Sequence, residues 1–140
     1  MPANTSPIFS RIGQLMWSQV NITAANTTKD LTSGTIYQLL PVADSSNGSR
    51  IDKLVIQPRG TNVATALRLW INNGGAATTA ANNFLLREVT MAATTLSEVA
   101  ALANTEIALD IALPAGYSFY ITIGTTVAAG FHVWTQGGDY

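Results

Sequence analysis

Short runs of strict apolar alternation shape this chain. Ile107, Leu109, Ile111 and Leu113 are separated by Ala108, Asp110 and Ala112, and Tyr117, Phe119, Ile121 and Ile123 by Ser118, Tyr120 and Thr122. Successive side chains of a strand point to opposite sides of a sheet, so period two is what a strand with one buried face requires. The positions in between are equally informative. Only 11% of the residues are charged, while 47% are hydrophobic. A free monomer usually covers itself with Lys and Glu; here the alternate positions carry mainly Thr, Ala, Asn and Ser. The pattern predicts a β-domain whose surface is meant to be covered by neighbours.

Length and charge bound the partners. A chain of 140 residues supplies one core and is expected to form one domain. The net charge is −1, and the seven basic residues are scattered singly, so neither nucleic acid nor a membrane surface is an expected partner. The absence of cysteine excludes disulfides and thiolate chemistry. No charged segment followed by an apolar stretch opens the chain, so no secretory signal is expected. Apolar runs stay far below the ~20 residues that span a bilayer. Asn-x-Ser/Thr triplets at Asn4, Asn21, Asn26 and Asn47 read as by-products of an Asn/Thr-rich composition rather than glycosylation sites.

Along the chain, residues 1–13 read as an irregular N-terminal arm. Pro2 and Pro7 disfavour a regular element, while Ile8, Phe9 and Ile12 give the arm apolar anchors for docking. Residues 14–140 form the domain. Strands are expected at about 14–23, 35–42, 50–57, 63–72, 84–91, 106–113, 117–125 and 130–136. Turn signals separate them, among them Asn47-Gly48, Pro58-Arg59-Gly60, Asn72-Asn73-Gly74-Gly75 and Pro114-Ala115-Gly116. Residues 24–34 are polar and turn-like. Thr95-Leu96-Ser97-Glu98 fits a helix capping box or a bent strand; extended structure is preferred because no helical period follows. The whole reads as all-β: an antiparallel β-sandwich, jelly-roll-like, with Leu67, Leu69, Ile71, Ile107, Leu109, Ile111, Phe119, Ile121 and Ile123 in its core.

Reactive chemistry is sparse. His132 is the single histidine, with no companion to complete a zinc site and no cysteine to activate. Asp44 and Asp52 flank the Asn47-Gly48 turn, and Glu98, Glu106 and Asp110 lie on neighbouring segments. None has the apolar setting that raises an acid catalyst's pKa. A calcium site at Asp44, Ser46 and Asp52 lacks dense oxygen spacing. No catalytic, cofactor or metal set is expected. The tryptophans are more informative. Trp70 and Trp134 lie opposite the main apolar set of their strands, and His132 shares the side of Trp134. Exposed there, they would form an apolar patch, and such patches mark contacts. The candidate subunit or partner contacts are Ile8, Phe9, Ile12, Trp17, Trp70, His132 and Trp134.

The capsid enters through a resemblance. Gly48-Ser49-Arg50-Ile51-Asp52-Lys53-Leu54-Val55-Ile56, Gly60-Thr61-Asn62 and Ala66-Leu67-Arg68-Leu69-Trp70-Ile71 resemble small virion proteins of tailed bacteriophages. So do Leu113-Pro114-Ala115-Gly116-Tyr117 and the closing Gly137-Gly138-Asp139-Tyr140. The match runs over roughly residues 48–140 and is similar to capsid decoration, or cement, proteins. It implies a β-sandwich that sits as a homotrimer on the major capsid protein, made in the host cytoplasm and carried on the virion surface. The alternative is a phage tail or receptor-binding module that grips host carbohydrate through its tryptophans.

Overall fold

The computed structural model describes residues 10–140; residues 1–9, and with them Ile8 and Phe9 of the expected arm, lie outside the described residues. The chain is all-β, as its alternation requires. The strands are β1 (Ile12–Gln14), β2 (Trp17–Ser18), β3 (Tyr37–Leu40), β4 (Ser49–Pro58), β5 (Thr65–Asn72), β6 (Asn83–Met91), β7 (Thr105–Leu113), β8 (Ser118–Ile123) and β9 (Phe131–Asp139). One 3-10 turn, Ala80–Asn82, precedes β6. No α-helix occurs among the described residues, and none is long and apolar enough to cross a membrane. The capping-box segment is irregular: the Leu96 N–H donates to Thr61 Oγ1 at 3.0 Å.

Every strand pairing is antiparallel. The order is β6-β5-β8-β3-β2-β9-β4-β7, with β1 beside β9, and the sheet curls into a half-barrel. Short β3 joins the two halves, pairing β2 on one side and β8 on the other. Leu67, Leu69 and Ile71 of β5 meet Phe119, Ile121 and Ile123 of β8, Ile51, Leu54 and Ile56 of β4, and Phe131 and Val133 of β9 in one core. Of the expected core, Leu109 is buried, and Ile107 and Ile111 are only partly buried because β7 is an edge strand.

Strands β1 and β2 share one register on β9, with Gln14 opposite Gly137 and Trp17 opposite Trp134. They form one strand whose ladder is interrupted where Thr135 Oγ1, rather than a carbonyl, accepts the Met16 N–H at 3.2 Å. The expected first strand therefore starts two residues early, at Ile12, and stops at Ser18. Ile12 and Gly13, placed in the irregular arm by sequence, belong to the sheet. The reason lies at the other end of the chain. Gly137 and Gly138 carry no side chain, and a Cβ on Gly138 would press against Ser10. The C-terminal glycines leave the space in which β1 lies, and the Arg11 N–H donates to Asp139 O at 2.7 Å.

Strand β4 changes phase midway. Ser49 and Ile51 point into the core, and so do Leu54 and Ile56. The switch occurs at Asp52, where Ile51 faces Gly137 but Lys53 faces Gln136, one residue extra on β4. Such a bulge reverses which side chains point inward. Arg50 spans it, 3.1 Å from Asp52 and 3.6 Å from Asp110 across the strand pair.

The connection from β2 to β3, expected to be a polar turn, is instead a strap over the outer face of β5 and β8. The Asn26 N–H donates to Ile123 O at 2.7 Å, and its carbonyl accepts from Arg68 Nη1 at 3.3 Å. The Asn26 side chain donates to the Ser33 and Thr35 carbonyls, and Asn83 Nδ2 donates to Asp30 O. Tyr37 OH accepts from the Thr23 and Ala24 N–H groups. Leu31 and Trp70 are both 1% exposed and lie outside the principal core. The Asn26 side chain is buried, with its amide engaged on the Ser33 and Thr35 carbonyls.

Two outcomes test this arrangement. A Cβ on Gly137 would collide with the Arg50 carbonyl, so Gly137→Ala must push β9 from β4. Overpacking of this kind costs about 1–3 kcal/mol, and a denaturant midpoint lowered at unchanged slope is the expected result. Glu88 accepts from Arg68 Nε at 2.7 Å and sits 3.5 Å from Lys29. Those partners, the Arg68 hydrogen bond first, hold the Glu88 carboxyl below its usual 4.5. A depressed carboxylate stabilises fully above its unfolded pKa, and that contribution drains as pH falls through the folded value. Acid melts below pH 4.5 should therefore weaken the native chain more steeply than Glu88→Gln.

Candidate exposed tryptophan groove

The site is built on the outer face of β9. Along that strand Phe131, Val133 and Thr135 are buried, while His132, Trp134 and Gln136 alternate to the outside. On the neighbouring strand Leu15 and Trp17 also face out, between buried Gln14, Met16 and Ser18. Register sets Trp17 directly opposite Trp134. Directly opposed residues of an antiparallel pair hold their Cβ atoms about 4.5–5.5 Å apart, so the two indoles are neighbours by construction.

The row continues across four ladders. Leu40 lies opposite Trp17 on one side; Val55 lies opposite Trp134 on the other, with Glu106 beyond it. Val55 is 1% exposed although it points away from the core. Burial on an outer face means that its row neighbours cover it, and Trp134, half-buried itself, is the large one. Trp17 keeps 54% of its surface exposed and Leu15 keeps 50%. Together with His132, Ser18 and Gln19 they line a groove of about 530 Å³. Its base is held by hydroxyls: Ser18 Oγ accepts the Val133 N–H at 3.2 Å where β2 leaves the sheet. The groove walls are mostly apolar, and among the described residues no acidic or basic side chain besides the imidazole lines it.

The structure therefore brings together Trp17, His132 and Trp134 of the sequence-based candidates. Leu15 joins them, and its signal was present in the sequence: it shares the parity of Trp17. Trp70 does not join them. It points outward from β5 as expected, but the strap covers it, and its Nε1–H donates to Thr122 Oγ1 at 3.0 Å. With 1% exposure it has no surface to offer a partner, so it is a structural residue. Ile12 is exposed but has the opposite parity, at the far end of β1 beside Asp139. Ile8 and Phe9 lie outside the described residues.

Asp44, Asp52, Glu106 and Asp110 sit elsewhere and are engaged. Asp52 and Asp110 share Arg50, and Glu106 holds Lys53 at 3.2 Å. Asp44 Oδ2 accepts the Ser46 and Asn47 N–H groups, closing the turn before β4. Among the described residues no three His, Cys, Asp or Glu side chains gather as metal ligands require. What the groove can do chemically is bind: it offers two aromatic faces, an aliphatic flank and a few neutral hydrogen-bonding groups.

No protein-family model matches the chain, and no curated protein or solved structure is significantly similar to it.

The three tryptophans should report their settings separately. In variants that keep one tryptophan and carry Phe at the other two positions, acrylamide should quench Trp17 most strongly. Trp134 should be intermediate, and Trp70 should be the least quenched and the most blue-shifted.

Proposed function

We propose that this chain is a non-enzymatic structural subunit of a tailed-phage virion, a decoration or cement protein that binds the outside of the capsid and stabilises it. The observation that supports the reading best is the exposed Trp17–Trp134 pair, flanked by Leu15, on a molecule with few charges. Aromatic side chains dominate the energetics of protein contacts, and interface cores are depleted in charge. The resemblance of residues 48–140 to capsid decoration proteins supplies the partner, the major capsid protein. In the same reading the half-barrel is a jelly-roll-like sandwich whose two sheets are joined through β2 and β3. The subunit acts as a homotrimer, because repeated weak contacts convert into firm attachment when they are linked. The N-terminal segment then clasps a neighbouring subunit or the shell.

A second reading has its own support. Two indoles beside His132 and Gln19 offer an apolar stacking face next to hydrogen-bonding groups, which suits a sugar ring in a tail or receptor-binding module.

One experiment separates the two. Purified protein is added to emptied, expanded heads of the parent phage and, in parallel, to a glycan array. The expected result is saturable head binding, reduced by each of Trp17→Ala and Trp134→Ala. Truncation of a central interface tryptophan costs about 2 kcal/mol, roughly thirtyfold in affinity. Trp70→Phe, which is buried, should bind like the native chain. Glycan binding lost in the same variants, with no head binding, would establish the second reading.

A further inference from the structure

The half-barrel does not close. Its terminal strands are β6 and β7, each of 9 residues. Among the described residues no backbone hydrogen bond reaches the outer edge of either. Unpaired edges of this length present a row of free N–H and C=O groups, a template on which another chain can pair.

Three observations identify that chain as a second copy of this one. The first is polarity. The order β6-β5-β8-β3-β2-β9-β4-β7 has eight positions, and every pairing is antiparallel, so the two edges run in opposite directions. When β7 of one copy is laid beside β6 of the next, the alternation continues without a parallel joint. The second is shape. Each edge strand carries a bulge: β6 at Leu86, where Arg87 faces Leu69 but Leu85 faces Trp70, and β7 beside Asp110, whose φ is +48°. The regular portions left are Arg87–Met91 and Thr105–Ala108, matched to within one residue. The third is chemistry. An antiparallel register that opposes Met91 to Thr105 sets Thr90 opposite Glu106, Val89 opposite Ile107 and Glu88 opposite Ala108. Val89 and Ile107 are both partly buried apolar residues that pack against the core, so this register would cover apolar surface that each still exposes. No like charges are opposed. A two-fold pairing of β6 with itself about its midpoint would instead set Arg87 against Arg87.

We propose that copies of this protein join edge to edge, the Arg87–Met91 segment of β6 in one pairing with Thr105–Ala108 of β7 in the next. The contact is head to tail, so repeating it generates a ring wherever the rotation closes. The inference deepens the reading of the chain as an assembly subunit by naming the surface through which copies meet. It involves neither the tryptophan groove nor a capsid.

The chain contains no cysteine, which makes the test direct. Thr90→Cys and Glu106→Cys are placed singly and together, both at exposed positions. They are oxidised mildly after thermal melts have established native folding. The double variant should run as covalent multimers on a non-reducing gel. Each single variant should remain a monomer band, and a mixture of the two singles should yield dimers and nothing larger. Light scattering of the native chain at micromolar concentration should give a multiple of the 14.8 kDa protomer. A double variant that loses its thiols while staying at monomer mass would mean that β6 and β7 close within one chain, which overturns the proposal. So would dimers of Thr90→Cys alone, or a native monomer in which no crosslink forms. Because the readout uses purified protein, it can fail while head binding succeeds, and the converse also holds.

Discussion

The register of β9 is the constraint on which the rest of the molecule depends. This strand is paired on both sides, with β1 and β2 along one edge and β4 along the other. Its inner set, Phe131, Val133 and Thr135, sits at the core; its outer set, His132 and Trp134, lines the groove. A slip of one residue would exchange the sets, burying an imidazole and an indole in place of a phenyl ring and a valine. The glycines at its end lock the phase, because only at Gly137 does the backbone admit the Arg50 carbonyl so closely. The bulge at Asp52 then lets β4 follow β9 while still sending Ile51, Leu54 and Ile56 inward.

The two halves of the sheet treat their outer faces differently. On β5 the strap covers Trp70, and Arg68 is buried against Asn26 and Glu88, so both faces of that strand are closed. On the strand beside β9, Trp17 and Leu15 each keep about half of their surface exposed. The strap is held by polar side chains that saturate its backbone: the Asn26 amide on the Ser33 and Thr35 carbonyls, the Tyr37 hydroxyl on the Thr23 and Ala24 N–H groups, and the Asn83 amide on the Asp30 carbonyl. A buried charge such as Arg68 is tolerable only with such partners. The open face has neutral walls and aromatic rings, the composition of a surface that exchanges water for another apolar surface. The same chain thus carries one indole as an internal brace and two as an external surface.

Much of the site was legible before the fold was known. Period two placed Trp134 and His132 on one side of β9 and Trp17 on an alternating strand. That Trp17 meets Trp134 was not legible, because cross-strand partners more than a hundred residues apart depend on strand order, which alternation does not encode. Trp70 illustrates the same limit from the other side. Its parity was correct and its exposure was not, since the residues that hide it belong to a segment that looks like an ordinary polar turn. Ile12 was assigned to an irregular arm because nothing nearby announces that two glycines at the far end of the chain make room for it.

What the sequence by itself determined was local: the strands from β3 to β9 within a few residues, the turns between them, the core-facing parity of strands such as β8 and β9 and the scarcity of reactive groups. Those follow from interactions within ten residues, where backbone geometry and side-chain polarity act directly. What only the tertiary structure decided was which outward faces remain open. That depended on the phase shift at Asp52, on the strap over β5 and on the ladder order that, among the described residues, leaves one edge of β6 and one edge of β7 unpaired. Each of these joins residues far apart in the chain, and the free energy that selects them comes from packing and saturated hydrogen bonds that no local pattern contains.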